Sequence, residues 1–399
     1  MNRSPQQDPE EDLADKNLNL EAPARTSFKQ ITDLFILAAE PSADLHGATL
    51  VQEILKLRPN LQIGAVAGPK MRSLPLKTLF PMENLCVMGF LDVLWELPRI
   101  IRQFFAIRNK ILELNPKAVV CIDYPGFNLR LEKSLRKKGY KGKIIHYISP
   151  TVWVWGKNRV HILARTVDLL LTIFPFEKQY FSHTNLPVQY IGHPLTSQIS
   201  LDSKCQRKKI LALFPGSRTK EIERNFSLQV QTAKKLLELD PELKIGVSIS
   251  DRGKEKLLRH LSQGVSIQFY PPEKNYELMA SCQLALATSG TVTLELALHS
   301  TPTIVQYAIH PLDLFIAQKI FSINLPFYCI VNIIASQSIF PELFGPGLTQ
   351  EQLFFWTQKL WFNDLLREKM KKGCESVRGA LSQKNAGNEA AKAIISLAF

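Results

Sequence analysis

From Ile31 onward, short apolar runs alternate with longer amphipathic stretches, and this alternation constrains the fold more than any other feature. Apolar runs of roughly four to eight residues bounded by turn signals read as buried strands, and stretches with a period of about 3.6 read as helices. Strands that alternate with helices build parallel sheets through βαβ units. A first series of strands is expected at 31–39, 61–67, 118–123, 143–148, 169–174 and 188–192. A second is expected at 210–216, 244–250, 266–270, 284–289 and 302–307. Between them, LTSQISLDSKCQRKK (195–209) is polar and aperiodic and reads as a linker, while helical patterns dominate after Gln350. The expected fold class is α/β, with two Rossmann-like doubly wound domains facing a cleft. Their limits are 31–194 and 210–399, the second ending in closing helices. A chain of 399 residues suits two domains of about 150–200 residues each.

Composition narrows the ligand class. Forty-nine Lys and Arg against 36 Asp and Glu leave a net charge of +13, which favours phosphates, nucleic acid or an anionic membrane surface. The six cysteines are scattered without a CxxC pair, no Asp-x-Asp occurs, and the eight histidines lack paired spacing. No metal and no cofactor are therefore expected. Residues 1–30 are polar and acid-rich, without the basic start and apolar core of a secretory signal. They are expected to form a disordered tail on a cytoplasmic protein. No apolar run reaches the roughly 18 residues of a membrane span.

Chemistry gathers at strand ends. In LALFPGSRTKEIERN (211–225) an apolar run stops at a turn, and a charged helix begins at once. Gly216 permits the tight turn, Ser217 and the helix start offer free N–H groups, and Arg218 adds a fork of donors suited to phosphate. An ordinary turn with Arg218 paired to Glu221 or Glu223 remains open. In ATSGTVTLEL (287–296), Ser289, Gly290 and Thr291 again end a strand. Glu295 follows in the first helical turns, placed to accept ribose hydroxyls or to complement the helix dipole. Together these elements suggest a nucleoside diphosphate. In LAAEPSADLHGATL (37–50), Glu40, Ser42 and Asp44 cluster between strand and helix; Asp44 alternatively caps a helix. Asp123 in IDYPGFN (122–128) ends a buried strand, as a general base or as a turn-bonding acid. The aromatic stretch HYISPTVWVWGKNRV (146–160) reads as packing under the cleft, since no basic-aromatic ladder recurs to bind nucleic acid. The greasy segment 88–112 places Phe90, Leu97, Ile101, Phe104 and Phe105 near helical spacing beside Arg102. A core helix and a basic amphipathic helix lying on an anionic membrane are both compatible with that pattern.

Nine motifs taken in order, AAEPSADLHGA, VMGFLDVL, IDYPGFN, HYISPTVWVW, FPFE, IGHPL, LFPGSR, SGTVTLE and VNIIASQSIFPEL, resemble those of lipid-A-disaccharide synthases over roughly residues 31–395. The resemblance implies a B-type glycosyltransferase fold with the sugar nucleotide held mainly by the second domain. It implies an inverting transfer of diacylglucosamine from UDP-diacylglucosamine to diacylglucosamine phosphate (lipid X), at the cytoplasmic face of the inner membrane. By position, Asp123 matches the family's proposed base, Arg218 its essential Arg, and Glu295 the acid of its SGTxxLE motif. Asn332 matches an Asn at the end of the nucleotide site, and Glu40, Ser42 and Asp44 match its acceptor-side turn. Ala39, Ala43, Gly126, Gly156, Ala308, Val331 and Gln337 depart from the pattern. Three other readings stay in play, and the departures motivate the non-catalytic one. One is a UDP-N-acetylglucosamine transferase or epimerase, another is a non-catalytic paralogue that binds UDP-sugars, and a nucleic-acid binder comes last. Assembly into a homo-oligomer is left open.

Overall fold

The structure, a computed structural model, describes residues 32–85, 92–154, 156, 158–199, 206–309, 325–381 and 384–399. The expected tail 1–30 and Phe90 lie outside the described residues. Two parallel sheets carry the chain. The first contains β1 (Leu34–Ala38), β2 (Ile63–Ala67), β3 (Lys77–Pro81), β4 (Ala118–Ile122), β5 (Lys143–Tyr147), β6 (Leu169–Thr172) and β7 (Val188–Tyr190), in the order β3-β2-β1-β4-β5-β6-β7. The second contains β8 (Lys208–Phe214), β9 (Lys244–Ser248), β10 (Gln268–Tyr270), β11 (Cys282–Thr288), β12 (Thr303–Tyr307) and β13 (Glu342–Phe344), in the order β10-β9-β8-β11-β12-β13. Every expected strand is present. The two that sequence reading missed, β3 and β13, are sheet edges.

The helices before the second sheet are α1 (Pro41–Leu57), α2 (Pro69–Arg72), α3 (Asp92–Leu114), α4 (Pro125–Lys137), α5 (Asn158–Thr166) and α6 (Pro194–Gln198). Those within and after it are α7 (Thr219–Leu239), α8 (Glu255–Leu261), α9 (Asn275–Ser281), α10 (Thr291–Leu298), α11 (Ile330–Ala335), α12 (Gln350–Trp361), α13 (Asp364–Ala380) and α14 (Ala386–Ala398).

The strands are apolar on both faces because both faces are covered. Along β1, Leu34, Ile36 and Ala38 enter one core while Phe35 and Leu37 enter the other. Along β8, Leu211 and Leu213 alternate in the same way with Ile210, Ala212 and Phe214.

Two boundaries differ from expectation. The stretch expected as a linker, 195–209, begins inside α6 and ends inside β8. The closing helix α14 leaves the second half and packs on α1, where Ala386, Ala390, Ala391 and Ile394 join the core beneath the first sheet. Its small side chains allow close approach, and the amide of Asn388 donates to Glu53 at 2.9 Å. Residue order therefore does not separate the halves cleanly at 210.

Helix α3 has one buried and one exposed apolar face. Ile107 and Ile111 are fully buried, with Ile100 and Phe104 packed against the same core. Leu97, Ile101 and Phe105, four residues apart, form an opposite apolar stripe that is 44–46% exposed. Arg102 is exposed beside it, and the Arg108 guanidinium lies 4.8 Å from the Phe105 ring. Phe104, expected on the membrane side, instead turns inward against Phe127, edge to face at 5.4 Å.

Candidate active site

In open parallel sheets, ligands bind beyond the carboxyl ends of strands where the strand order reverses. Here those points are β1/β4 in the first sheet and β8/β11 in the second. The four motifs singled out by sequence follow these four strands.

Beyond β1 and β4, Ala38 pairs with Ile122, so Glu40 and Asp123 leave adjacent strand ends. Their carboxyls share a hydrogen bond, and Ser42 Oγ donates to Glu40 at 2.9 Å. Asp123 and Tyr124 both adopt left-handed conformations, φ 48° and 46°, which are costly for non-glycine residues. The turn is held because the Asp123 N–H donates to the Tyr147 carbonyl at 2.8 Å. The Asn128 amide also donates to the Asp123 carbonyl, at 2.6 Å. Pro125 then opens α4 at a position where a missing N–H costs nothing. Burial raises the Asp123 carboxyl above its usual range, opposed by nearby His146 and by the Glu40 hydrogen bond. Burial, then the charge of Asp123, raises Glu40 as well. Behind them, His146 Nδ1 meets Glu132 Oε1 at 2.6 Å with both side chains fully buried.

Asp123 lines a cavity of about 670 Å³ that also includes Ser42, His46, Trp153, Glu177 and His193 from the first half. Burial pushes His46 down to about 4 and His193 to about 3, so both rings are neutral near pH 7. Burial pushes Glu177 up to about 8, which keeps it protonated there. The same cavity is walled by Tyr276, Ser289, Gly290, Thr291 and Glu295 from the second half. Those five residues also wall an adjoining cavity of about 430 Å³, with Gly216, Ser217, Glu221, Ser248 and Ser250. The two spaces meet at the β11 strand end.

Gly216 holds φ 104°, and an added Cβ would stand 3.2 Å from the Glu221 carboxylate. The Ser250 hydroxyl steadies the turn by donating to the Gly216 carbonyl at 3.1 Å. The Tyr276 hydroxyl donates to Glu295 at 3.2 Å, and burial raises the Glu295 carboxyl. Lys254 reaches Thr219 at the start of α7, 2.8 Å away. The buried Thr288 hydroxyl lines the smaller cavity without a protein partner. Sequence reading named none of Tyr276, Lys254, Thr288, Glu177 or the buried Glu132–His146 pair. A strand-end hydroxyl at Thr288 was the one visible signal.

Three expected site residues sit elsewhere. Asp44 is buried and accepts the N–H groups of Gly68, Lys70 and Met71 at 2.8–3.1 Å, which caps α2. Two residues along a helix is a rotation of about 200°, so the turn that exposes Ser42 directs Asp44 inward. Asn332 is fully buried, and its amide is saturated by the backbone of Ile339 and Phe340 and by Glu342. It fixes a loop and has no capacity left for a nucleotide. Arg218 is 81% exposed and paired with Glu221 at 2.7 Å, outside both cavities. Among the described residues no group of His, Cys, Asp and Glu has the arrangement of a metal site.

Residues 34–396 match the family model described as lipid-A-disaccharide synthetase. The chain is 39% identical over 341 residues to the lipid-A-disaccharide synthase of Chlamydia trachomatis serovar D, covering 82% of this chain and 56% of that protein. It is 35% identical over 334 residues to the enzyme of the same name from Azotobacter vinelandii, covering 80% and 86%. The chain thus spans about half the length of the chlamydial relatives it matches. Among solved structures, a putative UDP-N-acetylglucosamine 2-epimerase from Listeria monocytogenes superposes with a TM-score of 0.59 at 11% identity, over 92% and 95% of the two chains. A glycotransferase of kitacinnamycin superposes at 0.58 with 10% identity, over 92% and 99%. At such identities these two speak for the fold alone, the paired Rossmann-like architecture of B-type glycosyltransferases. A model matched almost from the first strand to the last helix, with relatives well above 30% identity, leads to one conclusion: the chain belongs to the lipid-A-disaccharide synthetase family.

Proposed function

We propose that the protein is an inverting glycosyltransferase that moves diacylglucosamine from UDP-diacylglucosamine to the hydroxyl of diacylglucosamine phosphate, releasing UDP. The observation that carries this reading is the cavity in which Asp123, from one switch point, shares walls with Ser289, Gly290 and Glu295 from the other. A base must reach the acceptor oxygen on the side of the anomeric carbon opposite the leaving group. A carboxylate facing a nucleotide cradle across a gap supplies that geometry.

In this scheme UDP occupies the smaller cavity. Its diphosphate lies against the amides of Ser217, Ser289 and Gly290 and the first turn of the 21-residue helix α7, where the dipole favours negative charge. Glu295, oriented by Tyr276, accepts ribose hydroxyls. Arg218 exchanges Glu221 for phosphate oxygens when the nucleotide arrives, a short swing for an exposed side chain. Asp123, whose carboxyl the Glu40 hydrogen bond pulls down against the rise from burial, takes the acceptor proton as the new glycosidic bond forms. The neutral His46, His193 and protonated Glu177 leave the acceptor pocket with few competing charges. The exposed stripe of Leu97, Ile101 and Phe105, with Arg102 beside it, would rest on an anionic bilayer and present both acylated substrates to the cleft. Among the described residues no helix is long and apolar enough to cross a membrane.

The test is disaccharide formation by purified protein from UDP-diacylglucosamine and lipid X in mixed micelles. Turnover of UDP-N-acetylglucosamine with no reaction of the acylated donor would replace this reading with the epimerase or non-acyl transferase one. UDP binding without turnover of either sugar would leave a binding protein.

A further inference from the structure

A further cavity, larger than either of these two, lies outside this site. It occupies about 960 Å³ beside α11, α12 and α13, a size suited to a bound small molecule. Its apolar lining includes Ile339, Phe344, Trp356, Leu360, Leu366 and Met370. Its charged side chains are Lys359, Lys369, Lys372 and one acid, Glu342. That acid is already engaged by the N–H groups of Tyr328 and Cys329 and the amide of Asn332. The neighbouring Lys371 is paired with Glu368 at 2.6 Å, and Lys372 also feels the Glu368 charge, whereas Lys359 and Lys369 form no ion pair among the described residues. Lys359 lies over the rings of Phe355 and Trp356 at 5.5 and 5.0 Å. Next in sequence to lining residues or at the turn between α12 and α13 are the exposed apolar side chains Phe355, Phe362 and Leu365, the last 84% exposed.

A partly apolar hollow lined by three lysines and a single, already engaged acid matches an amphiphile with a fatty chain and an anionic head. Exposed Phe and Leu beside lysines are what a protein presses into a membrane interface. The geometry points to a binding site for one anionic phospholipid of the bilayer, its acyl chain inside the cavity and its phosphate on Lys359, Lys369 and Lys372. This gives the second half of the molecule its own hold on the membrane, separate from α3 and from the sugar-nucleotide cleft. The site does not depend on the transferase reading, because it can be measured with no sugar nucleotide present.

Trp356 provides the readout. Lysophosphatidate with a dibrominated stearoyl chain should quench its fluorescence saturably, and Trp356→Phe should remove most of that signal. Lys369→Glu/Lys372→Glu should weaken the apparent affinity roughly tenfold or more, the effect of losing charge-assisted contacts. Unchanged UDP affinity in the double variant would establish that it is folded. The brominated monoacylglycerol, with the same chain and no phosphate, should bind comparably weakly to the intact protein. The proposal is overturned if lysophosphatidate does not quench, if the double variant binds it as well as the parent, or if monoacylglycerol binds equally tightly.

Discussion

The crevices at β1/β4 and β8/β11 arise from the same sheet topology, yet their chemistry is opposite. The first is lined by the acids Asp123 and Glu177 and the imidazoles His46 and His193, with Glu40 hydrogen-bonded to Asp123. The second is lined mainly by hydroxyls, glycines and helix N–H groups, Gly216, Ser217, Ser248, Ser250, Thr288 and Ser289, beside the carboxyls of Glu221 and Glu295. Topology decides where a ligand sits, and the residues following each strand decide what is done to it. On the proposed reading, one crevice takes the acceptor proton and its counterpart holds the departing diphosphate.

This contrast can be broken from either side. The largest effect is expected from Asp123→Asn, which keeps shape and removes the base. Turnover should fall roughly 10²–10⁴-fold, the usual worth of general base catalysis, with UDP affinity unchanged. Near-normal turnover would strip the first crevice of its role.

Glu177 tests how far burial controls protonation there. Its folded-state carboxyl titrates near 8, against an ordinary 4.5. Between those values the native state holds a proton that the unfolded chain has lost, so stability should decline as pH rises through that window. Glu177→Gln should flatten the decline, making the variant relatively more stable at pH 8 by on the order of a few kcal/mol. Parallel denaturation curves for the two proteins from pH 5 to 8 would refute the assignment.

On the nucleotide side, Arg218→Ala should lower kcat/KM for the donor about 10–100-fold, the range for one charge-assisted contact. A loss confined to stability would mean that Arg218 only closes its turn with Glu221. Asn332→Ala sharpens the same distinction. It should cost about 1–3 kcal/mol in urea unfolding by stranding the Ile339 and Phe340 N–H groups, while donor affinity stays put. The smallest effect is expected at Glu40. Its hydrogen bond lowers the Asp123 carboxyl, so Glu40→Ala should move the acid limb of kcat/KM to higher pH. A limb that stays in place or moves down would dissolve the carboxyl pair.

Much of this was legible before the structure. Interior strands such as β1 and β4 announce themselves because burial on both faces demands an unbroken apolar run. The edges β3 and β13 did not. Lys77 and Thr78 are exposed and β3 ends on Pro81, while β13 has three residues, as befits strands with one bare side. Ser42 and Asp44 looked equivalent as polar neighbours in one turn, although helical rotation sends one to the cavity and the other beneath it. Asn332 carries both donors and acceptors, which serve a ligand or a loop equally well on paper.

The local pattern of apolar and polar residues determined the elements themselves, their α/β alternation and the loading of strand ends with Gly216, Ser289 and Asp123, because period and turn chemistry act over a few residues. Which strand ends face one another was decided only in three dimensions. The cavity shared by Asp123 and Ser289, the return of α14 to the first sheet and the inward turn of Phe104 all join positions far apart or on rival faces. Such choices follow from contacts between distant parts of the chain, and no short stretch of chain contains that information.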